Sequence, residues 1–231
     1  MKRWMTAKAL PDGALVFLLL LLMADRHTGN AVHEWLGLAL TCLIVLHIWW
    51  NRRWFGTLFR GRYSLFRTFR LALNLLLAAM SLGTLASAVP ISGTLFAFMG
   101  FEGSLSCRTV HVFCAHWTFL LAAVHLGLYA YRVFPGRCRH GAGKDVYARA
   151  GSFTCASFAF YGMYAFPQRE LGSVLTMRSA FLFWGEQESF LECFLEYGAV
   201  FFLCAWVAFF LSRLERHGTP GKRASELSSS S

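Results

Sequence analysis

The sequence predicts an all-α membrane protein with six transmembrane helices, and three observations lead to that prediction. Of the 231 residues, 56% are hydrophobic and 23 are Phe, which is too apolar for an ordinary soluble domain. The apolar residues form runs long enough to cross a bilayer. Basic residues lie mostly in alternate connections between these runs, which is the positive-inside pattern of a multi-pass protein.

The distribution of Lys and Arg sets the predicted topology, with both termini in the cytoplasm. Six crossings leave all but four of the 22 basic residues on the inner side. The outer exceptions are Arg26, Arg108, Arg169 and Arg178. Because topology accounts for the net charge of +10, we expect a lipid bilayer and no nucleic acid as a partner of the chain.

The six predicted helices fall into four segments of the chain. Helix one is interpreted as a retained membrane helix, because no small-x-small cleavage site follows it. The helices cover, in order, residues 5–24, 31–50, 69–89, 109–134, 150–166 and 193–211. The segments are helix one with an outer turn (1–30), a core of helices two to four (31–134), helices five and six with an outer amphipathic excursion (135–212), and a disordered cytoplasmic tail (213–231).

Helices two and four each carry two histidines at the same spacing. His33 and His47 are 14 residues apart, and so are His111 and His125. At 3.6 residues per turn this spacing is about four turns, so both rings of each helix share one face, ~21 Å apart along the axis. Both helices enter the membrane from outside, which puts His33 and His111 at the outer depth and the other two at the inner depth. Ionisable side chains within a membrane are usually functional.

The matched depths predict two metal centres, one above the other. Two imidazoles that face one cavity from neighbouring helices can hold a b-type haem by both axial positions. The sequence therefore predicts a di-haem helical bundle core with two haem b groups, whose iron ligands are His33, His47, His111 and His125. Iron with imidazole on both sides has no open position for oxygen or substrate, which favours electron transfer, and no catalytic residue is expected.

Simpler interpretations of these histidines remain open. A single histidine in a membrane helix is often only packed or hydrogen-bonded, whereas four at two equal spacings favour ligation. Zinc is disfavoured because no carboxylate or cysteine completes a tetrahedral set. His116 is turned ~140° from His111 and ~180° from His125, so we interpret it as a packing residue or one near a cofactor edge. The remaining histidines, His27, His140 and His217, are expected in solvent.

Other residues give weaker signals. The seven cysteines form no CxxC or CxxCH motif, which argues against covalent c-type haem and zinc ribbons. Gly37 and Gly127 either let a flat macrocycle approach the backbone or serve helix packing. Arginines at the predicted inner ends could pair with haem propionates, although topology already explains them; these are Arg52, Arg53 and Arg132.

Three segments carry a resemblance to a known family. They are VHEWLGLALTCLIVLHIWWNRRWF, TVHVFCAHWTFLLAAVHLGLY and YGMYAFPQRELGSVLTMRSAFLFW. From His33 to about Leu211 the chain resembles the flavinylation-associated cytochrome family of bacterial membrane proteins. The resemblance implies a b-type cytochrome of the bacterial inner membrane, with the ligand positions of the family on His33, His47, His111 and His125.

The resemblance also implies a partner, an extracytosolic protein that carries covalently attached FMN and receives the electrons. Nothing in this chain resembles a flavin-attachment sequence, so the flavin would belong to that other protein. The predicted function is accordingly a transmembrane electron relay, an electron-transfer component rather than a stand-alone catalyst.

Two alternatives stand beside this prediction. The first is a cytochrome subunit of a quinone-linked or ferric-reductase-like oxidoreductase, with quinone as a partner. A cytosolic NAD(P)H site is not indicated, because the inner loops are short and lack a glycine-rich dinucleotide fingerprint. The second, of another class, is a haem-free transporter or scaffold whose histidines serve proton relay or packing.

Overall fold

The computed structural model describes residues 2–58, 64–133, 145–178 and 188–217, with backbone alone over residues 2–10, 131–133, 145–155 and 215–217. Within these residues the secondary structure is entirely helical. The α-helices are α1 Lys2–Met23, α2 Asp25–Thr28, α3 Asn30–Trp50, α4 Leu65–Ile91, α5 Leu105–Val133, α6 Asp145–Gln168, α7 Leu171–Leu175 and α8 Phe190–His217. Two 3₁₀ turns, Arg52–Thr57 and Ala97–Met99, follow α3 and α4.

Four helices of the described chain, α3, α4, α5 and α8, are long and apolar enough to cross a membrane. The apolar part of α1 is shorter, over Pro11–Met23, and α6 is not among the four. The all-α class is thus confirmed, and the apolar helices indicate a membrane protein. Six crossings stay a prediction.

Most helices are longer than expected: α4 begins at Leu65, α5 at Leu105 and α6 at Asp145, and α4 and α8 also end later than expected. α4 continues through Pro90 and ends one residue later, at Ile91. Pro90 has no N–H to donate to the carbonyl of Ala86, four residues before it, which is consistent with the end of the helix at this point. α8 continues to His217, so the first five residues of the predicted tail are helical. No glycine or proline lies between Leu211, the predicted end of this helix, and Gly218. The rest of the predicted tail, residues 218–231, lies outside the described residues.

The central helix is α5. It packs against α4 on one side and α8 on another, while α1 and α7 contact it as well. The main core lies where α1, α5, α7 and α8 meet, around Leu19, Phe119, Leu171, Tyr197 and Val200. α6 packs on α8 at one edge, and α3 packs on α1 at the other. No residue of α3 is buried, so its apolar surface is compatible with contact to lipid.

The backbone of α8 approaches two neighbouring helices at glycines. A Cβ atom on Gly127 of α5 would lie 2.1 Å from the carbonyl oxygen of Ala205, and one on Gly162 of α6 would lie 2.4 Å from that of Ala199. Such distances leave no room for a side chain, so both glycines serve close helix packing. Of the two interpretations of Gly127, helix packing therefore holds. Gly37 has no atom within 4 Å of its Cβ position, so it faces open space.

Replacing Gly162 with Ala is expected to separate α6 from α8 and to destabilise the fold. Overpacking a close contact typically costs about 1–3 kcal/mol, which should lower the midpoint of thermal unfolding in detergent. Gly172→Ala is the matched control, because nothing lies within 4 Å of a Cβ atom at that position. Equal midpoints for the two variants would contradict the close approach of α6 and α8.

A buried ion-pair cluster holds the end of α6 against α8. Arg169 is 3% exposed; its Nε donates to Glu196 Oε2 over 2.6 Å, and its Nη2 donates to Glu188. The guanidinium also lies over the ring of Tyr197, 5.3 Å from its centroid. Burial lowers the pKa of Arg169, but the hydrogen bond to Glu188 and the charge of Glu196 outweigh it, so the pKa lies above its usual range. The arginine therefore stays charged.

Candidate functional site

The four predicted site histidines meet in two pairs between α3 and α5. The ring centroids of His33 and His111 are 6.2 Å apart, and those of His47 and His125 are 6.5 Å apart. The planes within the two pairs are inclined at 68° and 73°. The partners are those expected from the matched depths, and all four rings are half-buried. Their role as ligands stays a prediction.

The separation within each pair is compatible with a shared metal. An imidazole nitrogen binds a metal at about 2 Å, and the ring centre lies roughly 1 Å beyond that nitrogen. Two imidazoles on opposite sides of one metal therefore have centroids about 6 Å apart. The observed 6.2 and 6.5 Å match this value.

The inner pair, His47 and His125, is held by side chains of two further helices. His47 Nδ1 donates to the Oδ1 atom of Asp12, on α1, over 2.9 Å. His125 Nδ1 donates to the Oδ1 atom of Asn74, on α4, also over 2.9 Å. A carboxylate and an amide oxygen only accept hydrogen bonds, so the proton of each ring must be on Nδ1. The lone pair that remains for a metal is on Nε2.

The outer pair, His33 and His111, is held differently. His111 Nδ1 donates to the backbone carbonyl of Thr84, on α4, over 3.0 Å. His33 Nδ1 is buried and has no hydrogen-bond partner among the described residues. Three of the four rings thus have the hydrogen-bonded Nδ1 that metal-ligating histidines almost always show, and His33 lacks it.

The start of α3, next to His33, is fixed by the carboxylate of Glu34. Its two oxygens accept hydrogen bonds from the hydroxyl of Ser92 and from three consecutive backbone amides after it, over 2.7 to 3.1 Å. Asn30 donates a further bond from within α3, over 2.8 Å. Because these donors belong to the loop after α4, Glu34 ties the start of α3 to the end of α4. This contact fixes the part of α3 that carries His33.

Each histidine pair offers two ligands. α3 packs on α1 and makes no extensive contact with α5, although its two histidines meet those of that helix. Within the described residues no three His, Cys, Asp or Glu side chains cluster closely enough to hold a metal ion. A haem brings four nitrogens of its own and needs two from the protein, so the number and type of donors fit a haem.

His116 stands apart from both pairs. Its Nδ1 lies 2.8 Å from the carbonyl oxygen of Val112, and its Nε2 lies 3.3 Å from the hydroxyl of Tyr197. Both ring nitrogens have protein partners and the side chain is buried, so His116 packs α5 against α8. His27 is exposed on α2. His140 and the side chain of His217 lie outside the described residues.

The residues that hold the four histidine rings were not identified from the sequence: Asp12, Asn74 and Thr84 were not connected with the histidines. Asp12 did offer a signal, because an acidic residue within an apolar helix is usually functional. The carbonyl of Thr84 offered none, since a backbone atom leaves no trace in the residue pattern.

Basic side chains near the inner pair differ from those suggested by the sequence. Arg52 lies over the ring of Trp49 at 4.6 Å and donates to its carbonyl oxygen over 3.2 Å, on the surface of the protein. The side chain of Arg132 lies outside the described residues. Arg70 is near His125 through Tyr129. The guanidinium of Arg70 lies 5.8 Å from the ring centroid of Tyr129, and the ring centroids of Tyr129 and His125 are 4.7 Å apart.

Comparisons with known proteins found no relative of this chain. No family model matches the chain, and no curated protein or solved structure is significantly similar to it.

Proposed function

We propose that the protein is a transmembrane b-type cytochrome that relays electrons across the bilayer through two haem b groups. Each haem would be held between one histidine of α3 and one of α5, with His33 and His111 at the outer site and His47 and His125 at the inner site. The observation that carries the proposal is the meeting of the four histidines in two pairs, with centroid separations of 6.2 and 6.5 Å that agree with the value expected for two imidazoles on one metal. A haem held there by two histidines would supply one-electron transfer.

The residues of the chain have distinct roles in this proposal. The four histidines bind, and the hydrogen bonds to Asp12, Asn74 and the carbonyl of Thr84 keep Nε2 as the ligand nitrogen. α1 and α4 supply these acceptors and orient the rings through their Nδ1 atoms. Glu34 fixes the outer end of α3.

We infer that the chain crosses the bacterial inner membrane six times with both termini in the cytoplasm. The four apolar helices support contact with the bilayer, and the basic residues between alternate helices support the orientation. In this arrangement the Glu34 contact and α7 lie at the outer face. The inner histidine pair lies toward the basic, cytoplasmic face.

We also propose membership of the flavinylation-associated cytochromes, and an extracytosolic FMN-carrying protein as the electron acceptor. The three similar segments support this assignment, and two of them contain the histidine pairs of α3 and α5. In the quinone-linked alternative, electrons would enter from or leave to the membrane instead of crossing it.

One observation favours the haem-free alternative. The Asp12 carboxylate bonded to His47, with a second histidine beside it, is also an arrangement that proton relays use. Two features weigh against it: the equal spacing in both pairs, and the missing acceptor at His33, which breaks a chain of hydrogen bonds at the outer pair. A transporter would bind no haem.

Sealed vesicles test the relay. With ferricyanide trapped inside and dithionite added outside, vesicles that contain the protein should reduce the trapped acceptor faster than protein-free vesicles. Vesicles with the His125→Ala variant, which lacks one inner ligand, should match the protein-free rate. A haem-loaded protein that reduces the trapped acceptor only when a membrane-soluble quinone is added would contradict the conduit and support the quinone-linked alternative.

A further inference from the structure

The four candidate ligands differ in what accepts the proton of Nδ1. At the inner site His47 bonds to a carboxylate, that of Asp12, and His125 bonds to the neutral amide oxygen of Asn74. At the outer site His111 bonds to a backbone carbonyl, and His33 Nδ1 has no acceptor among the described residues. Among these contacts of the described residues, the carboxylate of Asp12 brings the only negative charge.

The position of Asp12 shows that this contact is specific. The residue lies at the start of the apolar part of α1, which packs along α3. The side chains of Asp12 and His47 are 29% and 32% exposed, so both are partly shielded from solvent. A half-buried carboxylate in an apolar helix is unfavourable unless it is paired, and its partner here is a candidate ligand.

A carboxylate acceptor changes the ligand more than a neutral one does. Hydrogen bonds with an ionised partner are roughly twice as strong as neutral ones. By drawing the Nδ1 proton toward itself, the carboxylate makes Nε2 a more basic ligand. A more electron-donating ligand stabilises the oxidised form of a metal, so the reduction potential falls.

We propose that Asp12 is a positioning residue of the inner site, which keeps the proton of His47 on Nδ1 and lowers the reduction potential of the inner centre. This inference rests on the proposed function, since it presupposes that His47 binds haem. Arg70, near His125 through Tyr129, acts in the opposite direction. Its charge is present in every variant compared below, so it does not enter the difference.

The test replaces Asp12 with Asn in a protein that holds one haem at a time. Asn has nearly the same shape and its Oδ1 still accepts from Nδ1, so the change removes the charge and keeps the hydrogen bond. In the His33→Ala background, where only the inner centre remains, a potentiometric titration should show a rise for Asp12→Asn. We expect a tenfold change in the ratio of oxidised to reduced haem, about 59 mV for one electron.

Two controls separate this effect from a general change of charge. In the His47→Ala background, where only the outer centre remains, Asp12→Asn should leave the potential unchanged. Glu192→Gln removes one negative charge from an exposed position of α8 and should shift neither centre.

An unchanged inner potential in Asp12→Asn, or an equal shift of the outer centre, would overturn the proposal. If Asp12→Asn loses the inner haem, the Asp12→Glu variant, which keeps the negative charge, takes its place in the test. If Asp12→Glu retains the inner haem with a reduction potential near that of the His33→Ala parent, the role of the charge is supported. If Asp12→Glu raises the potential or loses the haem, the proposal is overturned. Failure of the unaltered protein to bind haem would instead refute the proposed function, so the two failures are distinct.

Discussion

Replacing His125 with Ala is expected to remove one of the two haems of each chain and leave the other in place. The variant keeps His33 and His111, whose ring centroids are 6.2 Å apart. Neither this pair nor the hydrogen bond of His111 to Thr84 involves the inner histidines. His47→Ala should give the same result, since a haem that loses either axial imidazole loses half of its protein ligands. The measurement is the haem content per chain, which should fall by about half.

The outer pair should behave as the mirror image. His33→Ala and His111→Ala are each expected to remove the outer haem and spare the inner one. The haem that remains in these variants should differ in reduction potential from the haem that remains in His47→Ala and His125→Ala. Combining one inner and one outer substitution should remove both haems. Loss of both haems from every single substitution, or of neither, would contradict two independent sites.

His116→Gln is the matched control on the same helix. Gln can still donate and accept hydrogen bonds toward Val112 and Tyr197, so the packing of α5 on α8 is retained as far as a substitution allows. This variant should keep both haems. Loss of a haem from it, together with full haem content in His111→Ala, would show that His116 is the ligand and His111 is not.

Replacing Arg169 with Met is expected to produce a large loss of stability. The change leaves the carboxylates of Glu188 and Glu196, which are only 12% and 11% exposed, without their positive partner. Removing one member of a buried pair typically costs about 3–5 kcal/mol, because the remaining charge stays desolvated. The midpoint of thermal unfolding in detergent should fall accordingly, since the cluster joins the end of α6 to α8.

The control for this variant is Arg178→Met, at an outer arginine that is exposed. It should leave the midpoint nearly unchanged. Adding Glu188→Gln and Glu196→Gln to Arg169→Met should recover part of the loss, because uncharged amides are less costly to bury than carboxylates. If Arg169→Met is as stable as Arg178→Met, the ion-pair cluster does not hold α6 and α8 together.

The sequence could predict the histidine pairs because they depend on local geometry. Helical periodicity gives the shared face and the axial separation of His33 and His47, and the same holds for His111 and His125. The predicted direction of the two helices then matches the histidines in depth. The contact of Asp12 with His47 depends on how α1 rotates against α3, which no single helix reveals. The fit of Gly127 against Ala205 likewise depends on the approach of α8, so packing and cofactor contact could not be separated beforehand.

The buried charges were also beyond the reach of the sequence pattern. Arg169 was expected only as an outer exception to the positive-inside rule, and Glu188 as part of an amphipathic excursion. Their burial with Glu196 requires the turn after α6 to fold back on α8, a contact across 27 residues. The pattern of charged residues predicts on which side of the membrane a segment lies, but not which residues form ion pairs.

The visible absorption spectrum of the purified protein, oxidised and dithionite-reduced, tests the central claim most directly when it is combined with a haem assay. Four imidazoles in two pairs predict a six-coordinate b-type spectrum in both states, with close to two haems per chain. A protein that is folded and purified from cells supplied with haem precursor, yet shows no such spectrum, would contradict the cytochrome and leave the haem-free alternative.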